Sequence, residues 1–212
     1  ALTTPEYQNA IKTLLLHVDN RQDRLLELFT SLLSQRDQWL APLFQASAQE
    51  KSTFERALQL IEQHELKRFK QSLPTHVAVE LTRCARELAD IENNPSSPRY
   101  PLKDWYDFQQ VNQELATALS KLLLTGDANF RKSFDHHVGL LSSSCAPDEY
   151  KRLKNASKEL LNELSEYPDF HKALIQVSNL PAPEYDPEQW EVLQALFLLL
   201  PLLVGHLHVL FS

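Results

Sequence analysis

The chain carries eight histidines, two cysteines and 28 acidic residues, the side chains from which a metal centre or a hydrolytic site would be built. Such a site needs three or more donors converging on one point. No His-Glu-x-x-His occurs, and the closest histidine pairs are His136–His137, which are adjacent, and His206–His208, two apart. Neither spacing puts two imidazoles on one face of an α-helix, so the histidines read as exposed or singly hydrogen-bonded groups. Pro147-Asp148-Glu149-Tyr150-Lys151 holds the letters of a metal-dependent nuclease signature. There, however, the carboxylates are spaced on separate strand positions, whereas here they are consecutive. Proline and acids also open a helix for reasons of dipole and backbone alone. Only Gly126, Gly139 and Gly205 are glycine, which excludes the phosphate-cradling G-x-x-x-x-G-K-[ST] and G-x-G-x-x-G loops. No catalytic, cofactor-binding or metal-binding residue is assigned to this chain.

Its cations are more informative. The net charge is −7, but Glu159 to Glu191 holds eight acids against Lys172 alone, which accounts for all of it. In the neutral remainder, Lys67 to Arg86 carries five bases and one acid, Glu80. Arg131, Lys132, Lys151, Arg152, Lys154 and Lys158 form a second basic group among three acids. Clusters of this kind bind nucleic-acid phosphates as point charges without reading sequence, and Lys151, Lys154 and Lys158 share a helix face. These six residues are the candidate nucleic-acid backbone contacts, with Arg131 and Lys132 foremost. Trp39, Trp105 and Trp190 lie in apolar stripes and are expected in the core, not stacked on bases.

The elements that must position these groups are helical. Helix-favouring residues dominate and runs of Val, Ile and Thr are missing. The expectation is an all-α, irregular multi-helix bundle of about seven to eight helices with no sheet. Residues 1–212 form one domain, in two helical halves joined near 93–101. Thr4-Pro5-Glu6 starts the first helix. Leu25, Leu28, Phe29, Leu32 and Leu33 mark the second, and Phe54, Leu58, Ile61 and Phe69 the third. Thr75 is expected to cap a fourth with the stripe Val77, Leu81, Cys84, Leu88 and Ile91. Leu102 to Leu124 is predicted as a fifth helix, and Asn129 to Pro147 as an irregular loop. Pro147, Pro168 and Pro187 each open a further helix.

The last helix, Trp190 to Ser212, is apolar on nearly all sides, which calls for burial on several sides. Its longest stretch free of polar groups, Ala195 to Gly205, is eleven residues, short of the roughly 20 that a bilayer requires. No lysine or arginine flanks that stretch as an anchor. A membrane span is therefore not expected. Cys84 and Cys145 show no C-x-x-C spacing, which suits a reducing cytoplasm. The sequence contains no methionine and stops in its apolar run, the expectation being a fragment of a longer polypeptide.

Three blocks carry a family resemblance. Leu14–Leu40, Leu122–Phe134 and Leu180–Ser212 resemble, in order, the helical 1B subdomain of RecB-like helicases of the UvrD/Rep type, the group that includes the beta subunit of exonuclease V. The middle block departs from that pattern after Phe134, and residues 47–97 match nothing in it. The resemblance implies an accessory, non-catalytic insertion in an ATP-dependent DNA helicase and nuclease of double-strand-break repair. It implies duplex DNA as the partner through the parent protein, motor domains packing on 190–212, and ATP and Mg²⁺ held by the parent outside this chain. Two rivals stand beside it. One is a free-standing helical adaptor that binds a protein partner through the apolar C-terminal helix. The other is a small metalloenzyme built from the scattered histidines and acids.

Overall fold

A computed structural model describes residues 4–34, 51–143 and 145–210, with side chains as far as Gly205. Among the described residues the α-helices are α1 (Pro5–His17), α2 (Gln22–Ser34), α3 (Lys51–Lys70), α4 (Thr75–Glu92), α5 (Gln113–Leu123), α6 (Pro147–Ser165), α7 (Pro168–Ser178) and α8 (Pro187–Leu210). Three single 3₁₀ turns lie at Tyr100–Asp104, Phe108–Gln110 and His136–Val138. No strand occurs among the described residues, only an isolated antiparallel bridge between Leu124 and Phe130. The fold is all-α, as the composition requires.

The chain divides into two compact units, one of Ala1–Leu58 with Ala182–Ser212 and one of Gln59–Pro181. The division crosses α3 and falls again before α8. Asn93–Pro101, expected as a joint between halves, lies inside the second unit. It is an ordered loop: Asn93 ends α4 in the left-handed region (φ 39°), and Arg99 then turns back to pair with Glu92. Two guanidinium nitrogens, Nη2 and Nε, donate to the carboxylate, at 2.6 and 3.1 Å.

The second unit is built from amphipathic helices. α4 buries Val77, Leu81, Cys84 and Leu88, the predicted stripe, with Ile91 half-buried. It packs against α6 and the Tyr100–Asp104 turn, while α5 packs on α7. At the centre, the rings of Phe108 and Phe170 each lie 5.3 Å from that of Phe69. Each fully buried phenylalanine contributes about 1.5–3 kcal/mol of apolar transfer energy.

Two local expectations are corrected here. Leu102–Leu124 is not one helix but two 3₁₀ turns followed by α5. Asp107 Oδ1 accepts from Gln109 N at 2.9 Å and Asn112 Oδ1 from Leu115 N at 2.8 Å. Each cap starts a new element where an unbroken helix would continue, and the breaks bury Trp105, Phe108 and Val111. Thr75 is the first residue of α4, and the cap position is held by Pro74, which makes no side-chain cap hydrogen bond.

In the first unit, α1 and α2 pack on α8. Ala10, Leu14, Leu25, Ala195 and Leu199 are buried there. Asp19 and Asn20, both with φ near 55–58°, turn the chain between α1 and α2. Phe54 of α3 meets the rings of Phe197, Trp190 and Tyr185 at 5.6, 5.8 and 6.0 Å, and Glu55 Oε1 accepts from Tyr185 N at 2.8 Å. Trp39 lies outside the described residues; Trp105 and Trp190 are buried.

α8 runs unbroken through Pro201. Pro187–Gly205 is long and apolar enough to cross a membrane by length and composition, with mean hydropathy 1.3. That exceeds the eleven-residue stretch expected from sequence, because continuing the helix through Glu188, Glu191 and Gln194 lengthens the span. Core helices of soluble proteins share that length and composition, but only 28% of this stretch is buried. Leu193, Leu196, Phe197, Leu198, Leu202 and Leu203 are half-buried.

Candidate nucleic-acid interface

All six candidate cations lie in the second unit. Arg131 and Lys132 follow a small hairpin-like loop that leaves α5. Thr125 N donates to Asn129 O at 2.8 Å and Arg131 N to Leu123 O at 2.8 Å, with Ala128 at φ 57° making the reversal. α7 clamps this loop from one side. Phe130 stacks parallel to Phe170, 6.3 Å away, and the His171 ring makes a 2.7 Å hydrogen bond through Nε2 to Ala128 O. α6 clamps it from the other: Phe134 N donates to the buried Ser157 Oγ at 3.0 Å, and that hydroxyl donates to Lys154 O at 2.9 Å. The loop of Arg131 and Lys132 is thereby seated beside the turn of α6 that carries Lys154 and Lys158.

The six cations differ in how far they are already satisfied. Lys132, Lys151 and Lys158 are exposed and form no ion pair among the described residues. Arg131 is half-buried, and its Nε is buried with no hydrogen-bond partner among the described residues. No carboxylate pairs with it among the described residues. Lys154 is half-buried, its Nζ 5.6 Å from the Tyr150 ring centroid. Arg152 points the other way, its Nη2 3.0 Å from Glu87 Oε2 on α4. Arg152 thus joins two helices, while Lys151 and Lys158 face solvent from a different flank of α6.

Two of the five bases in the Lys67–Arg86 cluster are paired in place. Arg68 pairs with Glu65 at 3.2 Å, and Arg83 pairs with Glu80 and, at 2.8 Å, with Glu87. Hydrogen bonding to Glu80, with the Coulombic pull of Glu80 and Glu87, pushes the Arg83 guanidinium still further up in pKa. Arg86 sits over the Tyr106 ring, 4.6 Å from its centroid. Sequence counting missed this because Glu65 and Glu87 lie just outside the window counted, yet within one helical turn of their partners. That i,i+3 and i,i+4 spacing was the available signal.

Asp148 and Glu149 are exposed in the first turn of α6, as the helix-start reading predicts. Elsewhere on the same loop system, Asp135, His136 and His137 bring three potential ligand atoms within 4.8 Å of one another. Comparison of the chain with family models, with curated proteins and with solved structures returns no match.

Proposed function

We propose that this chain is an accessory, non-catalytic helical subdomain that grips duplex DNA by its phosphates, within an ATP-dependent helicase and nuclease of the RecB-like, UvrD/Rep type. One observation carries the DNA contact: Lys132, Lys151 and Lys158 are exposed and form no ion pair among the described residues, on two elements tied together through Ser157. Point charges held on a rigid frame suit sequence-independent backbone contact. The resemblance of the three sequence blocks supplies the parent class. In this reading the protein is cytoplasmic, and ATP and Mg²⁺ belong to motor domains that pack on α8. No residue of this chain is assigned to either.

The test is a duplex-DNA titration across a salt series. Reversing Arg131 and Lys132, or Lys151 and Lys158, to glutamate lowers affinity about equally for all sequences. Each lost phosphate contact reduces the slope of log K against log[salt] by about one. Variants that reproduce the wild-type slope overturn the assignment.

A second reading, favoured by the half-buried apolar sides of α8, is a helical adaptor that docks a protein partner there. It predicts that the glutamate variants change nothing while polar substitution at Leu196 and Leu203 abolishes partner binding. The same helix meets the composition of a membrane span; stable association of the full chain with lipid vesicles would favour that use over both.

A further inference from the structure

The adjacent histidines rejected above on helical spacing do not lie on an α-helix. They occupy a single 3₁₀ turn entered from an extended residue, Asp135 (φ −149°, ψ −163°). There the two imidazole rings stand 3.9 Å apart at 38°, and the Asp135 carboxylate joins them with all three ligand atoms inside 4.8 Å. From this geometry we propose that Asp135, His136 and His137 form a surface site for a divalent transition metal of the zinc, nickel and copper class.

The turn is held in shape by its own frame. Phe134, Val138 and Leu140 are buried to 1%, 0% and 1% exposure and leave His136 and His137 outside. Asp135 O accepts from both Val138 N and Leu140 N at 3.0 Å, and Phe134 N is fixed on Ser157 Oγ. Gly139 closes the turn at φ 84°, where a Cβ would lie 2.7 Å from the Glu92 side chain. An ion therefore orders only two exposed side chains and leaves the backbone unchanged, which keeps the entropic cost of chelation low.

The donor set selects the metal class. Two neutral imidazoles and one carboxylate suit zinc, nickel and copper, whereas calcium and magnesium require oxygen ligands throughout. Bonds of about 2.0–2.2 Å in a tetrahedron put ligand atoms about 3.3 Å apart, a contraction that rotation of the exposed histidines supplies. Asp135 Oδ1 accepts from His137 N at 2.9 Å, which orients the carboxylate and leaves its second oxygen for the ion. Among the described residues no hydrogen bond or ion pair competes for either imidazole. Water completes the coordination, so the site is open and exchangeable.

The experiment is a zinc titration of the full chain by calorimetry, with Co²⁺ absorption as a second probe. The variants are His136→Gln, His137→Gln and Asp135→Asn; the last keeps an acceptor oxygen for His137 N. The expected result is one Zn²⁺ per chain, at least about tenfold weaker in each variant, and a zinc-dependent rise in Tm that the double histidine variant lacks. Circular dichroism of the exposed histidine variants checks that they fold. Cu²⁺ should broaden the NMR signals of His136 and His137 before those of the other histidines. Absence of zinc binding, variants that bind as wild type, or equal affinity for Mg²⁺ would each overturn the proposal.

Discussion

The two units use similar apolar side chains to different effect. In the second, α4, α5, α6 and α7 each carry one apolar face, and those faces meet around Phe69, Trp105, Leu119 and Phe170, all at 2% exposure or less. In the first, α8 is apolar on nearly every side, yet the cluster it forms with α1 and α2 has five buried members among the described residues. Leu16 and Leu26 stay exposed at 59% and 66%. The contrast separates hydrophobicity from patterning. A one-sided helix is satisfied by one layer of neighbours, whereas an all-round apolar helix needs several.

The largest expected effect is kinetic and tests the closure of the second unit's core. Cys84 is buried within the second unit, and burial, then Glu80 and Glu87, push its thiol up to about 12. Cys145 is half-buried. At pH 8 a thiol reagent should label Cys145 readily and Cys84 only through core opening, slower by orders of magnitude. Because the folded thiol keeps its proton where the unfolded one loses it, Cys84 makes stability fall as pH rises from about 9 towards 12. Equal labelling rates would show that the second core is not closed.

Next in size, Phe170→Ala should cost about 3–5 kcal/mol and Leu199→Ala, in the less enclosed cluster of the first unit, about 2 kcal/mol. Urea unfolding measures both, and equal losses would erase the distinction between the units. Gly139→Ala should cost about 1–3 kcal/mol, since it forces a side chain into a left-handed position against Glu92. A neutral melt would mean that this loop is not held as described. Ser157→Ala removes the acceptor for Phe134 N and should cost about 1–2 kcal/mol. It should also loosen the loop of Arg131 and Lys132, read as faster amide exchange at Phe134. The smallest effect is Glu87→Gln, under about 1 kcal/mol because Arg152 and Arg83 are about half-exposed.

Several helix starts were legible because their signals are local. Pro147, Pro168 and Pro187 each begin a helix where expected, and the α4 stripe is buried as its spacing predicts. Leu102–Leu124 was misread because its apolar residues fit a helical period, while the caps at Asp107 and Asn112 act on single hydrogen bonds that periodicity does not register. Of the candidate site, the shared helix face of Lys151, Lys154 and Lys158 was legible in their spacing, and Lys151 and Lys158 are exposed there. The pairing of Arg152 did not, since Glu87 lies 65 residues away.

By itself, then, the sequence determined the all-α class, the absence of phosphate-binding glycine loops and the uneven distribution of charge. Each of these is a property of composition or of spacings within a few residues. The tertiary structure decided which cations are paired, where the chain divides into units, and that Asp135, His136 and His137 converge. These depend on contacts between distant segments, or on a turn whose shape is imposed by the buried residues on either side of it.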